Sequence, residues 1–138
     1  GGGRNKYKIL DKLKKAKIPF TDYGLVEHTK LPEILKSMDM GFIFRDKEVE
    51  ESIPVSLYEF MSMNIPIFTN AVGLMGDFVK KNKAGFVVET KESFEKNLKK
   101  IVDDPSILLD FERLHKFALK KFSRKKQAKN FKEKVLKL

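Results

Sequence analysis

The apolar residues of this chain fall into two patterns that alternate along its length. Short continuous runs, typical of buried strands, cover residues 18–21, 41–44, 65–68 and 85–88. Between these runs, apolar residues recur every three or four positions, which is the spacing of amphipathic helices. Because strands alternate with helices, the pattern predicts an α/β fold: a parallel sheet of about four strands with flanking helices.

The helical spacing covers residues 4–17, a stretch after Thr29, residues 52–63, a stretch ending near Lys83 and a stretch beginning at Thr90 or Lys91. Asp104 is a good helix cap and Pro105 suits the first helical position, so we expect a further helical stripe that reaches Phe122. A weaker stripe predicts a closing helix in the tail, residues 123–138, that packs against the domain through Phe122, Phe131 and Val135.

Length and composition place the chain among single globular domains. It has 138 residues, 41% of them hydrophobic, and we expect one domain over residues 1–138. No apolar run approaches the roughly 18 residues that span a bilayer, and no stretch resembles a signal peptide. With no cysteine, we expect a cytoplasmic location. His28 and His115 have no partners at metal-binding spacing, so we expect no metal site.

The positive charge is concentrated in the tail. From Lys120 to Leu138 there are nine basic residues and one acidic residue, which is +8 of the net +10. Such a helix is most often a solvated face, but it raises a second function: a non-catalytic basic module that binds nucleic acid or an anionic membrane surface. Lysine predominates over arginine and no aromatic residue is set for reading bases, so nucleic acid is the less favoured partner.

Two glutamates, Glu51 and Glu59, are the candidate functional residues. Glu59 lies in an apolar stretch of the helix predicted over residues 52–63, where a carboxylate needs water or a partner. Glu51 precedes it by eight positions, in the loop after the strand at residues 41–44. Both would lie near the carboxyl edge of a parallel sheet, which is where open α/β folds bind ligands.

This spacing resembles the E-x(7)-E signature of retaining GT-B glycosyltransferases, the group 1 type. The run from Glu59 to Ile67, EFMSMNIPI, is similar to that family's E-A-M-A-x-G-x-P-V, and Asn70–Gly73, Asp77–Val79 and Ala84–Val88 follow its later landmarks. The resemblance spans about residues 7–122. It implies a Rossmann-like fold and the nucleotide-sugar-binding, C-terminal domain of a transferase that moves a hexose to a glycan or lipid-linked acceptor.

The resemblance also implies roles for individual residues. Glu51 would face the donor sugar as the catalytic carboxylate, and Glu59 would accept hydrogen bonds from the ribose, since a carboxylate suits a vicinal diol. The remaining donor-binding residues would be Ser52, Ile53, Val55 and Gly73 at the diphosphate, and Gly24 and Val26 at the base. The resemblance implies that no metal and no cofactor are needed, and that the nucleotide-sugar donor is a substrate.

The chain departs from the family pattern at several positions. Asn64 stands where the family has a glycine, although asparagine is the usual second choice for a left-handed cap. Pro54 removes an amide donor from the segment that corresponds to Gly-Phe-Gly, and Arg45 is interpreted as a loop residue. The base, the sugar, the acceptor and the linkage are left open.

The match also implies that the family's diphosphate clamp and its acceptor-binding N-terminal domain precede residue 1, so the isolated chain is expected to be inactive. The strand at residues 18–21 would then be separated from the strand at 41–44 by a gap in the sheet. We expect either that residues 18–21 move in to pair with residues 41–44, or that a second copy of the chain pairs there to form a homodimer.

Overall fold

The structure is a computed structural model that describes residues 5–45, 52–70 and 73–135. The chain divides into two compact units, Gly1–Ile34 and Leu35–Leu138, and each is described by itself. Glu51, the predicted catalytic carboxylate, lies outside the described residues.

The first unit contains helix α1, Lys6–Lys15. The backbone amides that follow the helix donate hydrogen bonds to carbonyls of its last turns. Lys17 adopts a left-handed φ of 54°, and the amide of Ile18 donates to the carbonyl of Leu13 at 3.0 Å. Pro19 has no amide hydrogen. With two neighbouring donors lost, the strand predicted at residues 18–21 cannot form a ladder, and that prediction is wrong: the segment has no strand structure.

The second unit is built on a parallel sheet of three strands in the order β1-β2-β3, one fewer than predicted. The strands are β1 (Gly41–Ile43), β2 (Ile67–Asn70) and β3 (Gly85–Val88). Ile67 of β2 is paired with Gly41 on one side and with Gly85 on the other. The α/β class with a parallel sheet and flanking helices is confirmed.

The central strand β2 begins two residues later than its apolar run. The amide of Ile65 donates to Phe60 and closes the preceding helix, and Pro66 has no amide hydrogen to offer a ladder. At the other end, Thr69 pairs with Ile43 of β1 and Asn70 pairs with Val88 of β3. The strand therefore ends on polar residues at its carboxyl edge.

Helices surround this sheet and the helical prediction is largely confirmed. Their bounds are α2 (Leu31–Leu35, which crosses from the first unit), α3 (Val55–Ser62), α4 (Gly73–Asn82), α5 (Lys91–Asp103), a 3₁₀ helix (Pro105–Phe111), α6 (Leu114–Phe122) and α7 (Arg124–Val135). Asp104 caps the 3₁₀ helix through the amide of Ser106, as its position before Pro105 predicts. The stripe predicted as one helix up to Phe122 is divided between the 3₁₀ helix and α6.

The core lies on both faces of β2, because neighbouring residues of a strand point to opposite sides. Ile67 is buried in a cluster formed with α3, α4 and α6, whose fully buried side chains are Leu57, Met61, Met75, Val79 and Leu114. Phe68 is buried on the other face with Val88 and Ile101 of α5. The helix that carries Glu59 is thus fixed by its own apolar residues, Leu57 and Met61.

The tail forms the predicted helix, α7, but does not pack as predicted. Phe122, at the end of α6, contacts the rings of Tyr58 and Phe78. In α7, every side chain from Arg124 to Glu133 is exposed, and Phe131 is 71% exposed. Docking of the tail through Phe131 is therefore wrong, because the six basic residues of α7 leave its apolar stripe too narrow to be buried. The predicted packing of Phe122 is confirmed, and the side chain of Val135 lies outside the described part of the chain.

Candidate functional site

The candidate site lies at the carboxyl edge of the sheet. All three strands are parallel, so their carboxyl ends meet at this edge, and a helix follows each strand there. Helix starts present unpaired amide donors and the positive end of the helix dipole. The starts of the three helices at this edge, α3, α4 and α5, are therefore the candidate positions for binding an anion.

The start of α5 is closed by its own residues. Thr90 and Ser93 form a reciprocal capping box, in which the Thr90 hydroxyl accepts from the Ser93 amide at 3.1 Å. Glu92 lies in the first turn, and hydrogen bonds from its own amide and from Thr90 lower the pKa of its carboxyl. A carboxylate already stands where an anion would bind, so α5 offers no site for one.

The start of α3 is different. Its N-cap residue is Pro54, which has no side-chain acceptor, and its first turn contains no acidic residue. Helix α3 begins at Val55, three residues later than predicted, so Ser52 and Ile53 are in the segment that leads into the helix. Of the three diphosphate contacts predicted near this helix, Ser52, Ile53 and Val55, only Val55 lies in the first turn of α3.

Arg45 and Asn70 are joined across this edge. The amide of Arg45 donates to Asn70 Oδ1 at 3.1 Å, and Asn70 Nδ2 donates to the carbonyl of Arg45 at 2.7 Å. Both residues are partly buried. The asparagine side chain continues the β1–β2 pairing two residues beyond the end of β1 and thereby fixes the backbone of Arg45.

The side chain of Arg45 extends from this fixed backbone to the approach of α3. Its Nη1 donates to the hydroxyl of Ser52 at 3.0 Å. A guanidinium therefore lies beside the segment that leads into a helix start without an acidic residue. Sequence analysis interpreted Arg45 only as a loop residue and Asn70 only as part of a family landmark, and predicted a role at the site for neither. Their positions two residues after β1 and at the last residue of β2 were the available signal.

Glu59 lies in the middle of α3 and is partly buried. Its carbonyl accepts a hydrogen bond from the hydroxyl of Ser62 at 2.7 Å, one turn later. Its predicted partner in the signature, Glu51, lies outside the described ranges 5–45, 52–70 and 73–135.

The predicted glycines and Val26 fall in two places. Gly73 is the first residue of α4, at the carboxyl edge, and has a left-handed φ of 55°. Gly24 and Val26 belong to the first unit, where Gly24 also has a positive φ of 62° and its amide donates to Asp22 Oδ1 at 2.9 Å. The positive φ at both glycines explains why these positions favour glycine.

Metal binding and membrane crossing are two further functions on which the described residues bear. No group of three or more histidines, cysteines or carboxylates among them is arranged to hold a metal ion. None of the described helices combines the length and the apolar character needed to cross a bilayer.

Comparison with known families decides the class of protein. A family model described as "Glycosyl transferases group 1" matches residues 1–134 of the 138-residue chain. The chain belongs to this family. No curated protein and no solved structure gave a significant match. The predicted resemblance to a GT-B type, group 1 glycosyltransferase is thereby confirmed.

Membership in the group 1 glycosyltransferases agrees with the α/β structure and connects the chain to glycosyl transfer. In this family context, the carboxyl edge formed by Arg45, Asn70, Gly73 and the start of α3 becomes the candidate donor site.

Proposed function

We propose that the chain is the donor-binding part of a retaining glycosyltransferase, which holds a nucleoside diphosphate sugar for transfer of a hexose to a glycan or lipid-linked acceptor. The nucleotide-sugar is its substrate, and no metal takes part. Glu59 accepts hydrogen bonds from the ribose hydroxyls, and Glu51 faces the sugar. The first turn of α3 and Gly73 line the diphosphate, and the roles of Gly24 and Val26 at the base stay a prediction from the family resemblance.

The observation that carries this proposal is the guanidinium of Arg45 at the approach of α3. A diphosphate needs positive charge and hydrogen-bond donors, and arginine supplies both in a fixed fork. The start of α3 adds amide donors and the positive end of its dipole, and no carboxylate in its first turn competes. Arg45 is held in place by Asn70 and Ser52, so little ordering is needed when an anion binds.

Glu59 supports the same assignment. Leu57 and Met61 are buried on one side of α3, which fixes the rotation of the helix and so the side on which Glu59 lies. A partly buried carboxylate on a fixed helix is a preorganised acceptor for two neighbouring hydroxyls.

Titration with UDP and GDP, followed by NMR and calorimetry, tests the proposal. Glu59→Ala should weaken binding by roughly 1–3 kcal/mol, the cost of losing charge-assisted hydrogen bonds. Arg45→Met should weaken binding of UDP far more than that of uridine, because only the diphosphate meets the guanidinium. The matched controls are Glu95→Ala and Lys91→Met, an exposed ion pair on α5. Shifts that cluster away from α3 and Arg45 would contradict the site.

Helix α7 supports a second function, attachment to an anionic membrane surface on the cytoplasmic side. Its described side chains from Arg124 to Glu133 are all exposed, and Phe131 lies among lysines with 71% of its surface in water. An exposed aromatic ring beside lysines suits the boundary between lipid headgroups and acyl chains, where each basic residue contributes about 1 kcal/mol. This function is compatible with a lipid-linked acceptor.

Binding to vesicles of phosphatidylcholine with and without phosphatidylserine tests this second function. Reversing three charges in α7, as Lys125→Glu, Lys129→Glu and Lys132→Glu, should abolish binding to the anionic vesicles. The same reversal at Lys96, Lys99 and Lys100, which are exposed on α5, changes net charge equally and should preserve most of the binding. Equal loss in both triple variants, or tighter binding to a DNA duplex than to vesicles, would contradict a membrane role for α7.

A further inference from the structure

The C-terminal end of α3 closes in a turn that requires a left-handed residue. The amide of Asn64 donates to Met61 at 3.1 Å and the amide of Ile65 donates to Phe60 at 3.0 Å, the two bonds of a Schellman motif. Asn64 occupies its left-handed position with a φ of 62°. Glycine meets this backbone requirement with less strain than asparagine, so the backbone alone does not explain an asparagine here.

The side chain of Asn64 has a second partner, on a different helix. Its Oδ1 accepts a hydrogen bond from the amide of His115 at 2.7 Å. His115 is the second residue of α6, where helix amides have no partner within the helix, and the N-cap residue of α6, Arg113, makes no side-chain cap. Asn64 therefore caps α6 from a position 51 residues earlier in the chain.

The ring of His115 completes the connection in the opposite direction. Its Nδ1 lies 2.5 Å from the carbonyl of Ser62, the last residue of α3, so this nitrogen carries the proton and donates. The hydroxyl of Ser62 in turn donates to the carbonyl of Glu59. We call Ser62, Asn64 and His115 the α3–α6 clamp, since they join the end of α3 to the start of α6 by two reciprocal hydrogen bonds.

We propose that Asn64 and His115 are positioning residues, which hold α3 against α6 and thereby set where Glu59 and the start of α3 stand at the donor site. The expected effect on nucleotide binding rests on the proposed function, whereas the clamp itself rests on the hydrogen bonds of Asn64 and His115. Packing of Leu57 against the core fixes the side of α3 that is buried, whereas the clamp fixes the position of its C-terminal end.

A comparison of glycine with aspartate at position 64 separates positioning from a backbone role. If only the left-handed φ matters, Asn64→Gly should equal or improve on the wild type. If Oδ1 caps α6, Asn64→Gly loses that bond, while Asn64→Asp keeps an acceptor and places a negative charge at the positive end of the α6 dipole. The two roles therefore predict opposite orders for the same pair of variants.

The first measurement is amide hydrogen exchange by NMR without nucleotide. Asn64→Gly should speed exchange of the His115 amide roughly 3- to 10-fold, the effect of one net hydrogen bond, and shift the Glu59 and Ser62 resonances. Asn64→Asp should preserve the protection of His115 and leave both sets of shifts close to the wild type. Lys116→Ala, an exposed neighbour on α6, is the matched control and should change neither.

The second measurement concerns the histidine ring. His115→Ala removes the bond to Ser62 and should shift Ser62 and Glu59, whereas His115→Asn restores a donor near the Nδ1 position and should partly reverse the change. Binding of UDP should then weaken about 3- to 10-fold in Asn64→Gly and His115→Ala and be retained in Asn64→Asp, as expected for the loss of one net hydrogen bond that orders the site.

The outcomes distinguish the clamp from the nucleotide site. Unchanged His115 protection in Asn64→Gly, or Asn64→Asp no better than Asn64→Gly, would overturn the positioning role. If the wild type binds neither UDP nor GDP, the proposed function fails, and the exchange and shift data still decide whether the clamp positions Glu59.

Discussion

Asn70 and Arg45 exchange two hydrogen bonds through a single side chain. The amide and carbonyl of Arg45 both bind the side-chain amide of Asn70, at 3.1 and 2.7 Å. This is the pattern by which a neighbouring strand would bind Arg45, although β1 has already ended at Ile43. One side chain therefore extends the order of the sheet into the candidate site, where the guanidinium of Arg45 meets Ser52.

Removing the side chain of Asn70 should release Arg45. We expect Asn70→Ala to lower the free energy of unfolding by about 1–3 kcal/mol, because two partly buried backbone groups lose their partner. Asn70→Asp keeps the acceptor but not the donor and should be intermediate. Asn97→Ala removes an asparagine whose side chain, among the described residues, bonds within its own helix, and it is the matched control. Urea denaturation measures all three, and an Asn70→Ala variant as stable as Asn97→Ala would contradict this role.

Gly85 has no room for a side chain. A Cβ added there would lie 2.0 Å from the carbonyl oxygen of Ile67 and 2.4 Å from its amide nitrogen, and the φ of Gly85 is +155°. The colliding atoms belong to the backbone of the paired strand β2, so they cannot move without breaking the sheet. We expect Gly85→Ala to destabilise the protein by roughly 3–5 kcal/mol, the range of the most damaging single substitutions.

Gly41 is the control for this prediction, because it starts β1 and pairs with the same residue, Ile67. A Cβ at Gly41 would meet the ring of Phe60 at 2.7 Å, and a ring can turn aside. Gly41→Ala should cost only about 1–3 kcal/mol, as for other cases of overpacking. Thermal and urea unfolding of both variants give the comparison, and equal losses would show that the Ile67 backbone is not the limiting contact.

The pattern of apolar residues predicted an element correctly where the backbone amides of those residues are also available for its hydrogen bonds. Residues 41–43 and 85–88 form strands where the runs predict them, and α5 begins where Thr90 caps it. The strand predicted at residues 18–21 and the start of β2 failed for a common reason. Ile18 and Ile65 give their amides to the end of a preceding helix, and the proline that follows each has no amide to give.

The candidate site was only partly predictable for a related reason. Glu59, Val55 and Gly73 are predicted through the family resemblance, whose motifs follow one another along the chain and are therefore recorded in the sequence. The pairing of Arg45 with Asn70 and of Asn64 with His115 joins residues 25 and 51 positions apart. Such contacts depend on how strands and helices are placed against each other, and no local pattern of hydrophobic residues specifies them.

In the first unit, Lys6 controls the ionisation of Asp22. The Nζ of Lys6 lies 2.7 Å from Asp22 Oδ2, and this hydrogen bond, followed by the one from the Gly24 amide, lowers the pKa of the Asp22 carboxyl. We expect Lys6→Met to raise that pKa toward the ordinary value. The neighbouring Lys8→Met, which has no such contact in the described residues, should leave it unchanged.

The direction of the pH effect follows from the lowered pKa. A group with a lowered folded pKa contributes stability above its unfolded pKa and loses it as the pH falls through the folded value. The wild type should therefore be more stable than Lys6→Met at neutral pH, and this difference in stability should shrink as the pH falls through the pKa of Asp22. NMR titration of the Asp22 carboxyl carbon measures the pKa directly, and identical values in the two proteins would contradict control by Lys6.

Strand β1 is an edge strand of the sheet that the structure describes. Among the described residues of the second unit, β1 is hydrogen-bonded to β2 and no strand is paired with its other side. Phe42 and Phe44, which flank Ile43, are 50% and 53% exposed, and both contact Phe94 on α5. An apolar edge strand readily pairs with a strand of another molecule, because its backbone donors and acceptors are already aligned.

We therefore expect the chain to dimerise by pairing of β1 with β1 of a second copy, as the sequence already suggested for this strand. Phe42→Lys should produce monomers, because a charge on an edge strand would be buried by the partner. Phe131→Lys changes an exposed aromatic residue on α7 in the same way and should leave the dimer intact. Sedimentation velocity over a range of concentrations measures both. A wild type that stays monomeric throughout, or a dimer lost equally in the two variants, would exclude pairing through β1.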